Sequence, residues 1–167
     1  MKAIVAVDKN WGIGKDGQLL KRLPGDMKYF KEKTLGQTVI MGRKTLESLP
    51  GGKPLPDRET VILTNDRSYR IPGVATFNCL SDLCVGMQFC ETDEAYVCGG
   101  ASIYEQFMPY CSSFLVTKIF DEYPADRYFH NLDEDENYEL VWESPVYEED
   151  GTKYQFTEYR RKRGVGR

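Results

Sequence analysis

The chain has 167 residues, a formal net charge of −4 and a hydrophobic content of 41%. This composition excludes general disorder and fits one domain with its own core. The acidic balance argues against a nucleic-acid partner, and no apolar stretch is long enough to span a membrane. The first apolar run is too short for a secretion signal, so we expect a cytoplasmic protein.

The cysteines and the single histidine argue against disulfide and metal sites. Five cysteines cannot all pair, and no two of them form a C-x-x-C motif. With His130 as the only histidine, no His/Cys cluster can bind zinc, and we predict no metal site. The cysteines are therefore expected to be reduced thiols, and they are Cys79, Cys84, Cys90, Cys98 and Cys111.

Short β-branched runs alternate with helical patterns along the chain, which indicates an α/β fold. A polar, glycine-rich segment at residues 8–22 has the length of a functional loop or lid. The strands are predicted at residues 3–7, 38–41, 60–63, 95–98, 114–119, 138–143 and 153–159, and the helices at 23–34, 43–49 and 102–107. We predict a central, mixed, mostly parallel sheet of about eight strands with about four flanking helices and an antiparallel C-terminal hairpin. The domain should cover residues 1–160, and the basic residues 161–167 should form a frayed tail rather than an RNA-binding arm.

Two segments share one design, in which a buried strand ends at glycine and a helix follows. One is centred on Gly42, with two cations and a hydroxyl directly after it, and the other on the pair Gly99 and Gly100. Glycine lets a ligand approach the backbone, and a helix start offers unpaired N–H groups to phosphate. Each segment alone is also typical of a tight turn without a ligand. Together they favour a dinucleotide, and the cations favour the 2′-phosphate of NADP.

Asp26 is predicted in the first turn of a helix, between the apolar positions Leu23, Met27 and Phe30. An acidic residue there often does no more than stabilise the helix end. The alternative is a carboxylate that faces a pocket and pairs with the amidine-like edge of a heterocycle. Burial would then raise its pKa and let it assist protonation of that ring.

Several of these segments resemble the motifs of dihydrofolate reductases of the bacterial chromosomal type. Residues 39–48 resemble the V-I-M-G-R-x-T-x-E-S segment, and residues 23–30 resemble the L-P-x-D-x-x-x-F helix. Further similarity lies at residues 13–17, 54–58, 98–104 and 116–119. The resemblance runs from about residue 3 to residue 159. It implies NADPH-dependent reduction of dihydrofolate to tetrahydrofolate, with hydride passing from nicotinamide C4 to pterin C6 and N5 protonated through water.

The resemblance also implies roles for individual residues. Asp26, Thr117 and Leu19 would be the catalytic residues, with Asp26 and Thr117 in one network on the pterin. Arg58 would bind the carboxylate of the glutamate tail. The apolar walls of the substrate site would be Ile4, Ala6, Leu19, Met27, Phe30, Leu49 and Leu55. The cofactor would lie against Ala6, Ile13, Gly14, Gly17, Gly42, Arg43, Lys44, Thr45, Thr64, Asn65, Cys98, Gly99, Gly100, Ala101, Ser102, Ile103 and Tyr104.

The resemblance further implies a cytoplasmic monomer that binds antifolates, with a lid at residues 12–20. One departure stands out, because Lys21 replaces the usual tryptophan. The lysine would either extend outward to solvent or place a cation near Asp26 and lower the pKa of Asp26. Two alternatives stay open. One is the pyrimidine reductase of riboflavin synthesis, which has the same fold but would not need Asp26, Phe30 and Arg58 together. The other is a non-catalytic NADPH-binding redox sensor.

Overall fold

The computed structural model describes residues 1–87 and 94–163. The helices are α1 (Pro24–Thr34), α2 (Arg43–Glu47), α3 (Leu80–Met87) and α4 (Ala101–Phe107), with 3-10 turns at Pro50–Gly52 and Met108–Tyr110. The strands are β1 (Lys2–Val7), β2 (Gly12–Gly14), β3 (Thr38–Gly42), β4 (Glu59–Leu63), β5 (Ala75–Phe77), β6 (Ala95–Val97), β7 (Ser113–Ile119), β8 (Arg127–Tyr128), β9 (Tyr138–Glu143), β10 (Tyr147–Glu149) and β11 (Thr152–Arg161).

Eight strands form one continuous sheet in the order β10-β11-β7-β1-β6-β3-β4-β5. Every neighbouring pair from β7 to β5 is parallel, whereas β11 is antiparallel to both β7 and β10. A ninth strand, β9, pairs with β11 beyond the end of β10. The predicted fold class, a mostly parallel mixed sheet with four helices and a C-terminal antiparallel hairpin, is confirmed.

The inner parallel strands are apolar because helices and loops cover both of their faces. Val39, Ile40 and Met41 of β3 are all fully buried, although their side chains alternate between the two faces. The predicted bounds of the longer strands and helices agree with the structure to within a few residues. In the described parts of the chain, each helix is too short or too polar to traverse a lipid bilayer.

The structure contains short elements that the sequence patterns did not indicate. β2 lies inside the predicted loop at residues 8–22, where it pairs with β8, and β5 has only three residues. Strands this short offer too few positions for an alternation of apolar and polar residues to be visible. At the C-terminal end, Arg161 belongs to β11 and donates to the carbonyl of Met108 over 3.1 Å. Residues 164–167 of the predicted tail lie outside the described residues.

Helix α1 is held against the sheet at its start and near its middle. At its start, Leu23 is buried in a cluster with Ile119 of β7 and Tyr154 of β11. Near the middle of the helix, the ring of Tyr29 stacks on Phe156 of β11, with 4.0 Å between the ring centroids. Aromatic stacking of this kind adds about 0.5–1.5 kcal/mol to the burial itself. These contacts determine where the first turn of α1, and therefore Asp26, lies over the sheet.

Candidate active site

Asp26 of α1 meets Thr117 of β7, the two residues that the family resemblance joined in one network. The Thr117 hydroxyl donates to Asp26 Oδ1 over 2.6 Å, which joins residues 91 positions apart in the chain. Thr117 is buried and lies beside Ala6 of β1 in the parallel register. The carboxylate therefore faces the carboxyl-terminal half of the central strands, where ligands bind in open α/β sheets.

Burial raises the pKa of the Asp26 carboxyl, because a charged group is poorly solvated there. The hydrogen bond from Thr117 opposes this effect, and the nearby carboxylate of Glu149 on β10 raises the pKa further. Glu149 is a residue that the sequence reasoning missed. The charged group that acts on Asp26 is therefore the negative carboxylate of Glu149. A positive charge, that of Lys21, was the alternative considered from the sequence.

The two strand–glycine–helix segments lie side by side, because β3 and β6 are neighbours in the sheet. The Gly42 N–H donates to the carbonyl of Gly99 over 2.9 Å, and a Cβ at Gly100 would lie 3.7 Å from Thr45 Oγ1. The starts of α2 and α4 therefore converge on one spot. Unpaired N–H groups at two helix starts suit the paired phosphates of a dinucleotide.

The backbone at this spot follows its path because it carries glycine. Gly99 has φ of +108°, and a Cβ there would lie 3.1 Å from the ring of Tyr104. Gly99 and Gly100 are joined by a cis peptide bond. Tyr104 cannot retreat easily, since it is buried and its hydroxyl donates to the carbonyl of Ile4 over 2.7 Å. The residues present therefore fit the backbone cradle that NADPH needs.

The remaining predicted cofactor residues differ in their exposure to solvent. Arg43 is half-buried and pairs with Glu47 over 3.5 Å, while Lys44, Asn65 and Ser102 are exposed. Thr64 follows β4, and its carbonyl accepts a hydrogen bond from Asn78. Burial raises the pKa of the Cys98 thiol, so this cysteine is a packed, neutral side chain at the end of β6. Ile13, Gly14, Ala101 and Ile103 are buried or half-buried, and Gly17 is exposed.

The predicted apolar walls are formed partly by buried and partly by exposed side chains. Ile4 is buried in a cluster with Phe30 of α1 at its edge, and Leu49 and Leu55 are half-buried. By contrast, Leu19 and Met27 expose 60% and 50% of their surface. Both side chains are thus available for contact with a ligand, and their assigned roles stay predictions.

Arg58 lies at the far end of α1, where its guanidinium is already oriented. Its Nε donates to the carbonyl of Pro56 over 2.9 Å, and Nη1 donates to Thr34 Oγ1 over 3.4 Å. Thr34 is buried, and its own hydroxyl is bound to the carbonyl of Phe30. A guanidinium has five N–H donors in a planar fork, so three remain for a carboxylate.

The predicted lid is fastened to the loop before β8 by hydrogen bonds that two backbone N–H groups donate. The Asp16 N–H donates to the Asp126 carboxylate over 3.0 Å, and the Asp126 N–H donates to the Gly14 carbonyl over 2.9 Å. At its root, Trp11 is buried against Phe129 and therefore anchors the loop in the core instead of covering a ligand. Exposed backbone bonds open at low cost, which is a property that a lid requires.

Comparison with known proteins identifies one family to which this chain is similar. The sequence model of the family described as dihydrofolate reductase matches residues 1–162. The dihydrofolate reductase of Bacillus subtilis is 38% identical over 167 residues, which is 95% of this chain and 93% of the relative. That of Staphylococcus haemolyticus is 35% identical over 162 residues, covering 96% and 95%.

A solved structure agrees with the sequence relatives. Dihydrofolate reductase from Enterococcus faecalis, complexed with NADP(H) and RAB-propyl, superposes with a TM-score of 0.84 at 30% identity. The superposition covers 96% of this chain and 95% of the other. The chain therefore belongs to the dihydrofolate reductase family.

Proposed function

We propose that this chain reduces 7,8-dihydrofolate to 5,6,7,8-tetrahydrofolate with NADPH as the reductant. The observation that carries the proposal is the Asp26–Thr117 pair, a half-buried carboxylate whose position is set by a hydrogen bond of 2.6 Å. Strand β1 separates β7, which carries Thr117, from β6, which ends at the glycines that fit a dinucleotide. Family membership makes the two sites parts of one reaction.

Each group in the site then has a task that its environment supports. The Asp26 carboxylate accepts hydrogen bonds from the pterin amino group and N3, and Thr117 keeps it oriented. Burial raises the pKa of Asp26, so this carboxyl can hold a proton close to the pterin ring. The N5 atom of the pterin receives its proton through water. Arg43, Lys44 and Thr45 hold the cofactor phosphates beside Gly99 and Gly100. When bound, NADPH supplies the hydride.

The direct test is NADPH oxidation followed by absorbance with dihydrofolate as the substrate. We expect turnover that depends on both compounds and is inhibited by an antifolate competing with dihydrofolate. NADPH binding without turnover would contradict the proposal. Reduction of the aminopyrimidine intermediate of riboflavin synthesis would then favour the pyrimidine reductase, and inertness toward both substrates would favour the redox sensor.

Arg58→Gln is expected to raise KM for dihydrofolate about tenfold while changing kcat little, since a charge-assisted contact to the substrate tail is lost. The measurement is steady-state kinetics with dihydrofolate and with a dihydropterin that lacks the glutamate tail. The truncated substrate is the control, because Arg58 has nothing to bind there. An equal rise in KM for both substrates would show that Arg58 acts on the structure of the site and not on the tail.

We further propose that the enzyme acts as a cytoplasmic monomer without a nucleic-acid partner. The net charge of −4 supports the absence of nucleic acid. Size-exclusion chromatography with light scattering should give a single species near the chain mass of 19.2 kDa. A dimer mass that persists on dilution would contradict the monomer.

A further inference from the structure

The start of α1 is capped by a side chain from a distant part of the sequence. The N-cap residue, Leu23, has no side-chain acceptor to offer the first turn. Instead, the Gly25 N–H donates to Glu149 Oε1 over 2.8 Å, which bridges 124 positions of the chain. A carboxylate at this place satisfies one of the unpaired N–H groups that every helix start leaves.

Tyr154 of β11 holds that carboxylate in place. Its hydroxyl donates to the same oxygen, Glu149 Oε1. Burial first, and then this hydrogen bond, raise the pKa of Tyr154 to about 12, so the phenol keeps its proton and remains a donor. Glu149 is therefore oriented by one strand and directed at the helix beside it.

Gly25, the residue before Asp26, leaves the space that Glu149 and Tyr154 occupy. A Cβ at Gly25 would overlap both the Tyr154 hydroxyl and Glu149 Oε1. The structure does not give Gly25 a positive φ, so the backbone conformation alone does not call for glycine. Glycine is needed here because the Glu149–Tyr154 pair lies directly against its Cα, one residue before the candidate catalytic carboxylate.

We propose that Glu149 is a positioning residue for the reaction proposed above, which caps the first turn of α1 and, through its negative charge, favours the protonated state of the neighbouring Asp26. The groups in electrostatic contact with Asp26 come from five elements. They are the Thr117 hydroxyl on β7, the Glu149 carboxylate on β10, and the phenols of Tyr154 on β11, Tyr104 on α4 and Tyr29 on α1.

Glu149 is the member of this set that carries a full charge, and its effect agrees with the raised pKa of Asp26. A negative charge close to a carboxyl group favours the protonated form of that carboxyl. Here two donors bind Glu149 Oε1, whereas Asp26 accepts one from Thr117. Both donors keep the Glu149 carboxylate directed at the first turn of α1, beside Asp26.

Glu149→Gln is the test, because glutamine keeps an oxygen for the Gly25 N–H but removes the charge. We expect its activity with dihydrofolate to fall off at lower pH than in the parent. At a pH on the falling limb, kcat should drop about three- to tenfold, with the acid plateau kept within about twofold. Glu148→Gln is the matched control, since it removes the same charge from an exposed position on the same strand.

A second measurement does not require turnover. Carbon-13 NMR of aspartate-labelled protein, with the Asp26 signal assigned through Asp26→Asn, follows the titration of that carboxyl directly. The midpoint should move to lower pH in Glu149→Gln, stay in Glu148→Gln, and lie nearer the parent in Glu149→Asp, which keeps the charge. Equal midpoints in the parent and Glu149→Gln would overturn the inference, whether or not the parent reduces dihydrofolate.

Discussion

Asp26→Asn is expected to lower kcat with dihydrofolate by about 10²- to 10⁴-fold at neutral pH, the usual contribution of a positioned acid–base group. Asparagine fills the same space and can still accept from Thr117, so the pocket should keep its shape. What is lost is the carboxylate that binds the pterin edge and favours its protonation. The loss should be greatest at high pH and smaller at low pH, where solvent can protonate the substrate.

The same substitution should stabilise the fold at neutral and alkaline pH. The folded-state pKa of Asp26 is raised, so the stability that its protonated form contributes is present at low pH and is lost as pH rises through that pKa. Asparagine never ionises and avoids this loss. Enzymes commonly lose some stability by holding a functional carboxylate where it is poorly solvated, because activity requires it there.

The measurement combines pH–rate profiles with thermal unfolding at one acid and one alkaline pH. Tm of Asp26→Asn relative to the parent should be higher at the alkaline pH than at the acid pH. The control is Asp82→Asn, an exposed aspartate in the first turn of α3, which should leave both activity and Tm nearly unchanged. Retention of more than a tenth of the parent kcat at neutral pH would remove Asp26 from the reaction.

Sequence patterns were sufficient where a feature depends on neighbouring residues. The buried run of β3 followed by Gly42 and a helix, and the same design at Gly99, could be recognised locally, and their meeting follows from the parallel order of strands. Asp26 could likewise be placed in the first turn of a helix. Its partner Thr117 came from the resemblance to a family and not from any local pattern.

Features that depend on the register of distant strands could not be derived in this way. Glu149 caps α1 only because β10 and β11 pair so that Glu149 lies opposite Thr152, and Tyr154 then reaches the same carboxylate. A shift of one residue in that hairpin would turn Glu149 to the other face. In the sequence, Gly25 is a local sign of this contact, because any side chain at that position would overlap Glu149 and Tyr154.

Gly99→Ala is expected to damage both the fold and the cofactor site. A side chain at φ of +108° is strained, and its Cβ would also lie 3.1 Å from the ring of Tyr104, which is held by the carbonyl of Ile4. Together these effects should cost about 2–3 kcal/mol of unfolding free energy. Because the Gly99 carbonyl binds the Gly42 N–H, a displaced backbone also separates the two helix starts.

For this reason we expect the Kd for NADPH to rise at least about 30-fold, the equivalent of about 2 kcal/mol. Urea unfolding and fluorescence titration with NADPH measure the two effects. Gly73→Ala separates strain from crowding, because Gly73 has φ of +78° but nothing within 4 Å of its Cβ. That control should lose some stability and bind NADPH as the parent does. If the two variants lost stability equally and bound NADPH equally well, the close approach of Gly99 to Tyr104 would not shape the cofactor site.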